Sequence, residues 1–132
     1  MVIDSSAALV ILLGEAEDEA FAAAIDADPR RLMSAVSVLE TSIVVESRKG
    51  PAGGRELDLF LHRGQIDVVS FNPHQLELAR EAYRRFGKGH HAAALNFGDC
   101  CAYALAAGAG EPLLFKGDDF SRTDILAVMR RA

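Results

Sequence analysis

Residues 94–105 read A-L-N-F-G-D-C-C-A-Y-A-L, and the rest of the chain is best read outward from them. An apolar helix begins here, with the acid Asp99 in its first turn and Asn96 three residues earlier as its cap. Asn at the N-cap with an acid at N3 satisfies orphaned helix amides and suits the positive helix end, so helix formation alone accounts for a carboxylate at this point. Three further acids, Asp4, Glu40 and Asp118, stand at comparable element ends. Capping explains Asp4, Glu40 and Asp99 singly and a turn explains Asp118, and neither says why the acids recur.

Upstream, Val2 to Asp4 is a short apolar run that suits a central strand. Ser5 and Ser6 can cap the helix that Ala7 to Leu13 continues, and Gly14 ends it. A second helix spans Glu15 to Ala27 and is closed by Asp28-Pro29, since the residue before proline resists the helical region. Arg31 to Ser34 forms a second strand. Ser37-Val38-Leu39-Glu40 matches a capping box and opens a helix to about Lys49, with Leu39, Ile43 and Val44 inward and Glu40 bordering that apolar face. Gly50 to Gly54 breaks the chain, after which Leu57, Phe60 and Leu61 mark an amphipathic helix ending near Gly64. Alternation and β-branching make Ile66 to Phe71 a third strand. Pro73 opens a helix with an apolar stripe of Leu76, Ala79 and Tyr83 and a basic row of Arg80, Arg84 and Lys88. Beyond residues 94–105, Gly108 and Gly110 make a turn, Leu113 to Phe115 a fourth strand, and Asp124 to Val128 offers a fifth at the edge. Strands alternating with helices predict an α/β fold, a three-layer α/β/α sandwich on a mainly parallel central sheet of four to five strands. With no repeat and no long linker, residues 1–132 read as a single domain.

Composition narrows the function. A net charge of −5 argues against a general nucleic-acid-coating surface, because phosphate contacts carry non-specific affinity. It leaves room for a local site, since acids that hold a divalent metal present a neutralised centre to phosphate. No apolar run reaches the roughly 20 residues that span a bilayer, and the start lacks a basic n-region, so no membrane association and a cytoplasmic location are expected. Cys100 and Cys101 are adjacent in the helix, where neighbouring side chains diverge, and read as packing residues. His62 and His74 show no metal-ligand spacing.

In open parallel sheets ligands bind at the carboxyl ends of strands, where Asp4 and Asp118 fall. Helix N-termini, where Asp99 and Glu40 fall, follow those ends, so one rim can hold all four carboxylates. Stability alone does not favour this: two like charges about 4 Å apart repel by roughly 4 kcal/mol at an effective dielectric near 20. A hard cation such as Mg²⁺ or Mn²⁺ removes the conflict, and its chemistry suits phosphodiester hydrolysis.

Taken together, M-V-I-D-S-S-A at the start, S-x-x-E-T around Glu40, L-N-F-G-D-C before the long helix and L-L-F-K-G-D-D-F near the end resemble the PIN-domain ribonuclease toxins, the VapC type of bacterial toxin–antitoxin pairs. The similarity covers essentially the whole chain. It implies a PIN-like fold and an RNA-cleaving, Mg²⁺- or Mn²⁺-dependent endonuclease that is a homodimer held inactive by a cognate antitoxin. By motif matching, Asp4, Glu40, Asp99 and Asp118 take the catalytic acidic positions. Asp4 and Asp99 would be the direct metal ligands, with Glu40, Asp118 or Asp119 as further ones. Ser6 fits the small hydroxyl position beside the first acid, and Asn96 supports Asp99. Many relatives read N-D-x-D-F where this chain has G-D-D-F, so the resemblance leaves Asp118 and Asp119 both open for the last acid, with Asp118 preferred.

Other readings compete. Arg80, Arg84 and Lys88 suit an RNA backbone, and equally a solvated face in which Glu77 and Glu81 pair with Arg80 and Arg85. Lys88, His90 and His91 suit substrate entry or a plain surface loop, and Leu57, Phe60 and Leu61 suit a subunit or antitoxin surface or a core stripe. A receiver-like phosphoacceptor module would share the length, the sheet and a lysine such as Lys116, but the third strand ends in Ser70-Phe71-Asn72 without a phosphoacceptor acid. A PIN fold that only binds RNA would not need the four acids.

Overall fold

A computed structural model of the chain describes residues 1–129. The elements run β1 (Val2–Ile3), α1 (Ser5–Leu12), α2 (Asp18–Ala27), β2 (Leu32–Ser34), α3 (Ala35–Lys49), α4 (Pro51–Arg63), β3 (Asp67–Val69), α5 (Pro73–Phe86), α6 (Phe97–Ala109), β4 (Leu113–Leu114) and a 3₁₀ turn at Phe120–Arg122. The four strands form one parallel sheet in the order β3-β2-β1-β4. Among the described residues no helix is long and apolar enough to cross a membrane.

Strand residues alternate between faces, and the two faces are covered by different helices. Val2, Leu32 and Leu113 point into a core shared with Ala79, Ala82 and Phe86 of α5 and with Ala102, Tyr103 and Leu105 of α6. Ile3, Met33 and Leu114 point the other way, against Ala7 and Val10 of α1, Phe21 and Ile25 of α2, Val45 of α3 and Leu57 of α4. The result is the expected three-layer α/β/α sandwich. Because β1 leads to β2 on one side and pairs with β4 on the other, the strand order reverses between β1 and β4, and open parallel sheets bind ligands at the carboxyl ends beside such a point.

Several local expectations change. Asp4, and not Ser5 or Ser6, caps α1, its carboxylate accepting the Ser6 amide at 3.0 Å. The second helix starts at Asp18, three residues later than expected. α3 is capped by Ser34 and begins at Ala35, so Ser37 lies inside the helix and Glu40 is not half of a capping box. Its inward residues are Ser37, Thr41 and Val45, whereas Leu39 and Ile43 are exposed. Leu76 and Tyr83 are likewise exposed on α5, whose buried residues are Gln75, Ala79, Ala82 and Phe86. The C-terminal segment contributes one bridge, Leu113 with Ala127, in place of a full edge strand. Leu57 is core, with Phe60 and Leu61 packed against it.

Candidate functional site

Asp4 follows β1 directly, and its position is set twice, by the strand and by the helix it caps. Its side chain is buried, 3% exposed. Oδ2 accepts two hydrogen bonds from Ser6, from the amide at 3.0 Å and from Oγ at 2.5 Å. Oδ1 is buried without a hydrogen-bond partner. Burial, assisted by the nearby Glu40 charge and opposed by the Ser6 bonds, pushes this carboxyl up to about 6. Ser6 Oγ also accepts the Lys116 amide at 3.0 Å, which ties the β1–α1 corner to the chain leaving β4.

Asp99 is the N3 residue of α6 and forms the capping box anticipated from its spacing. Asn96 Oδ1 accepts the Asp99 amide at 2.9 Å, and Asp99 Oδ2 accepts the Asn96 amide at 3.1 Å. Burial pushes Asp99 up to about 6 despite that bond, and the charges of Asp4 and Asp119 push the same way. Glu40 joins from α3, its Oε1 accepting Ser5 Oγ at 3.3 Å. Burial raises it too, with Asp99 adding to the rise. Glu40 comes this close because residue 98 is glycine: a Cβ there would overlap the Glu40 carboxylate. Ser5 and Gly98 are the two members of the site that the sequence did not disclose, and a glycine in the first turn of a helix whose cap does not need one was the available signal.

Two neighbouring acids, Asp118 and Asp119, follow β4. Asp119 is the neighbour whose charge is felt by Asp99. Asp118, preferred from the sequence, lines a groove of about 620 Å³ with Glu17, Phe21 and Phe115, and its carbonyl accepts Ser121 Oγ at 2.5 Å. Asp4, Glu40, Asp99 and Asp119 therefore form one electrostatic cluster on the carboxyl rim of the sheet, linked in the chain Glu40–Asp4–Asp99–Asp119.

No three His, Cys, Asp or Glu side chains among the described residues stand close enough to form a closed metal cage. The donor set nonetheless fits a hard divalent ion. It is all carboxylate oxygen, Asp4 Oδ1 lacks any other partner, and Mg²⁺ uses one or two carboxylates and keeps several waters.

The basic row stands apart. Arg80 pairs with Glu77 at 3.3 Å and Arg85 with Glu81 at 4.0 Å, the solvated-face arrangement, while Arg84 and Lys88 are exposed on α5 and the loop after it. That loop is closed by a Gly87–Leu95 bridge, and His90 and His91 set their rings edge-on to Tyr83 and Phe86. Lys116 is engaged by Glu15 and Glu17 at 3.2 and 3.6 Å. Cys100 and Cys101 are buried free thiols, both pushed up to about 11 chiefly by burial, as suits packing residues.

Residues 1–126 match the model of the PIN domain. The chain is 55% identical over 128 residues to Ribonuclease VapC30 of Mycobacterium tuberculosis, covering 97% of this chain and 98% of that one. It is also 55% identical to Ribonuclease VapC of Mycolicibacterium smegmatis, over 97% and 99%. Two solved structures share the fold. Mycobacterium tuberculosis VapC20, described as a sarcin-ricin loop cleaving toxin, has a TM-score of 0.78 at 18% identity, over 95% of each chain. VapBC2 of Rickettsia felis, bound to a DNA fragment from its promoter, has a TM-score of 0.76 at 13% identity, over 96% of this chain and 94% of that one.

Proposed function

The chain belongs to the PIN-domain family, and from that premise we propose that it is an endoribonuclease, the toxin of a toxin–antitoxin pair, hydrolysing RNA phosphodiester bonds with Mg²⁺ or Mn²⁺ at the carboxylate rim. One observation carries the reading to these residues. Three acids on three different elements are held together with raised proton affinities, and the most buried of them keeps an oxygen without a partner. A structural carboxylate cluster would be given counter-charges, and this one is given other carboxylates.

In this reading Asp4 and Asp99 are the residues that hold the ion. Bound there, Mg²⁺ or Mn²⁺ supplies charge neutralisation at the scissile phosphate and a more acidic attacking water. The other groups work through position. Ser6 fixes the Asp4 carboxylate through Oδ2 and leaves Oδ1 without a partner, and the Asn96 amide holds the Asp99 carboxylate through its Oδ2. Glu40, steadied by Ser5 and raised in pKa, is suited to take a proton. The charge of Asp119 on Asp99 supports Asp119 for the fourth place, with Asp118 beside it as the alternative.

A PIN domain that binds RNA without cutting it would not need to retain this destabilising cluster. The receiver alternative is excluded: that fold runs its strands 2-1-3-4-5, whereas the order here is 3-2-1-4. An antitoxin partner is supported by the named VapC relatives and by the Rickettsia felis VapBC2 structure. A homodimer is supported by Leu39 and Ile43, exposed together on α3.

Purified protein freed of antitoxin is expected to cleave RNA in Mg²⁺ or Mn²⁺ and to stop in excess EDTA. Cleavage that persists in EDTA overturns the metal-dependent mechanism, and none in either metal overturns the activity.

A further inference from the structure

Resting on the ribonuclease reading, we propose that Phe97 is a stacking platform for an unpaired nucleobase next to the scissile phosphate. Phe97 is the first residue of α6, between the cap Asn96 and Gly98, whose backbone lies against the Glu40 carboxylate. Asp99 is two residues further on. The ring is 76% exposed, more than any other large hydrophobic side chain among the described residues. The other exposed or half-exposed rings near this face have partners. Tyr83 is met edge-on by His90 and Phe115 packs on Phe120, while no ring among the described residues packs on Phe97.

Nothing about helix formation calls for an aromatic at this position. The first helical position suits proline or an acid, and an exposed ring there adds nothing to the core. The electrostatics of the site supply a reason. Acids gather beside Phe97 on a chain of net charge −5, and an ion held by them neutralises the scissile phosphate alone, so the rim offers few of the cationic contacts that carry most nucleic-acid affinity along a backbone. Base-on-ring stacking needs no positive charge and accepts any base, because every base has a π-face. The exposed Leu39 and Ile43 on α3 are aliphatic and offer no such face, which separates a base platform at Phe97 from the subunit surface assigned to them.

A base stacks on a protein ring only when it has left its own helix. The substrate at this site is therefore RNA with an unpaired nucleotide flanking the cut, in a single strand or a loop, and a continuous duplex is excluded.

The chain contains no tryptophan, so Phe97→Trp introduces a single fluorescent reporter at the platform itself. Mixing Phe97→Trp with a single-stranded RNA decamer in Mg²⁺ by stopped flow should quench that fluorescence before any cleavage, and the same decamer annealed to its complement should not. Phe97→Leu keeps an apolar side chain without a stacking face. It should fold with an unchanged melting temperature and lose at least about five-fold in kcat/KM, mainly through KM. No quench, equal quench by duplex, or cleavage by Phe97→Leu at the wild-type rate overturns the proposal. A Phe97→Leu variant that converts a dimer to a monomer in sedimentation also overturns it, in favour of a subunit contact. Wild-type protein that cuts no RNA in either metal would refute the ribonuclease reading, and the quench, which needs no turnover, would still decide the stacking.

Discussion

Asp4 and Asp124 both lie within reach of other charged groups, and the fold treats them in opposite ways. Asp124 accepts the Tyr103 hydroxyl at 2.6 Å and the Arg85 guanidinium at 3.2 Å, and the Tyr103 bond first and the Arg85 charge after it hold the carboxyl below its ordinary value. Asp4 is buried with one oxygen unsatisfied, near Glu40 and Asp99, and is pushed up to about 6. Asp124 fastens the C-terminal segment to α5 and α6. Asp4 costs the metal-free protein stability, which is the mark of a group kept for chemistry. On the proposed reading, what surrounds each acid is what separates a fastening one from one kept for chemistry.

The sharpest way to break this contrast is to neutralise the acids one at a time. Asp99→Asn keeps an oxygen to accept the Asn96 amide, so the capping box and the fold should survive. Losing a charge that holds the ion should cost at least about a hundred-fold in cleavage. Asp119→Asn should cost less than Asp99→Asn and more than Asp118→Asn, and Asp124→Asn should leave cleavage nearly unchanged while lowering stability by about 1 kcal/mol, since that pair is half exposed. Steady-state cleavage rates beside melting temperatures check the whole series. Full activity in Asp99→Asn would leave that residue with its capping role alone, and a larger loss in Asp118→Asn than in Asp119→Asn would return the fourth place to Asp118.

A smaller effect is expected at Gly98. Gly98→Ala puts a methyl group against the far end of the Glu40 side chain, which can swing aside. The melting temperature should therefore change little, while cleavage falls by about ten-fold as Glu40 leaves its place. Loss of folding together with activity would show that Gly98 serves packing and not the position of Glu40.

These residues also show why the sequence disclosed part of the site and not all of it. The Asn96–Asp99 box was readable because both partners lie within one turn and the pattern is local. The Ser37–Glu40 box was a misreading of the same local pattern. The start of α3 is set by Ser34 at the end of β2, so the helix opens a turn earlier and Glu40 is free to face Ser5. The expected inward face of α3 failed for a related reason. Its buried residues include Ser37 and Thr41, the latter satisfied by its own helix through a 2.7 Å bond to the Ser37 carbonyl, and hydrophobic periodicity does not register such positions. The sheet was legible because β1, β2 and β4 are buried on both faces and leave short apolar runs. Gly98 meets Glu40, and the charge of Asp119 reaches Asp99, only through contacts between elements distant in sequence.

The last expected effect is on the stability of the metal-free protein, and it has a definite sign. Asp4 has a folded-state value of about 6 against an ordinary value of 3.8. Folding therefore favours its protonated form. The penalty is absent below the unfolded value, grows as pH rises between the two, and is complete above about 6, at roughly 3 kcal/mol if nothing relaxes. Asp99 shifts the same way and adds to it. Asp124 has the opposite sign, contributing stability above its unfolded value and losing it only in stronger acid. Between about pH 4 and pH 7 the Asp4 side of the contrast prevails, so metal-free protein should melt several degrees higher at about pH 5 than at about pH 7.5. Asp4→Asn, which keeps a cap for the Ser6 amide and removes the buried charge, should flatten that dependence, and Mg²⁺ should raise the melting temperature of the wild type at the higher pH and leave Asp4→Asn almost unmoved. A melting temperature that rises with pH in the absence of metal would mean that the acids of the rim are already compensated, and the distinction between Asp4 and Asp124 would fail.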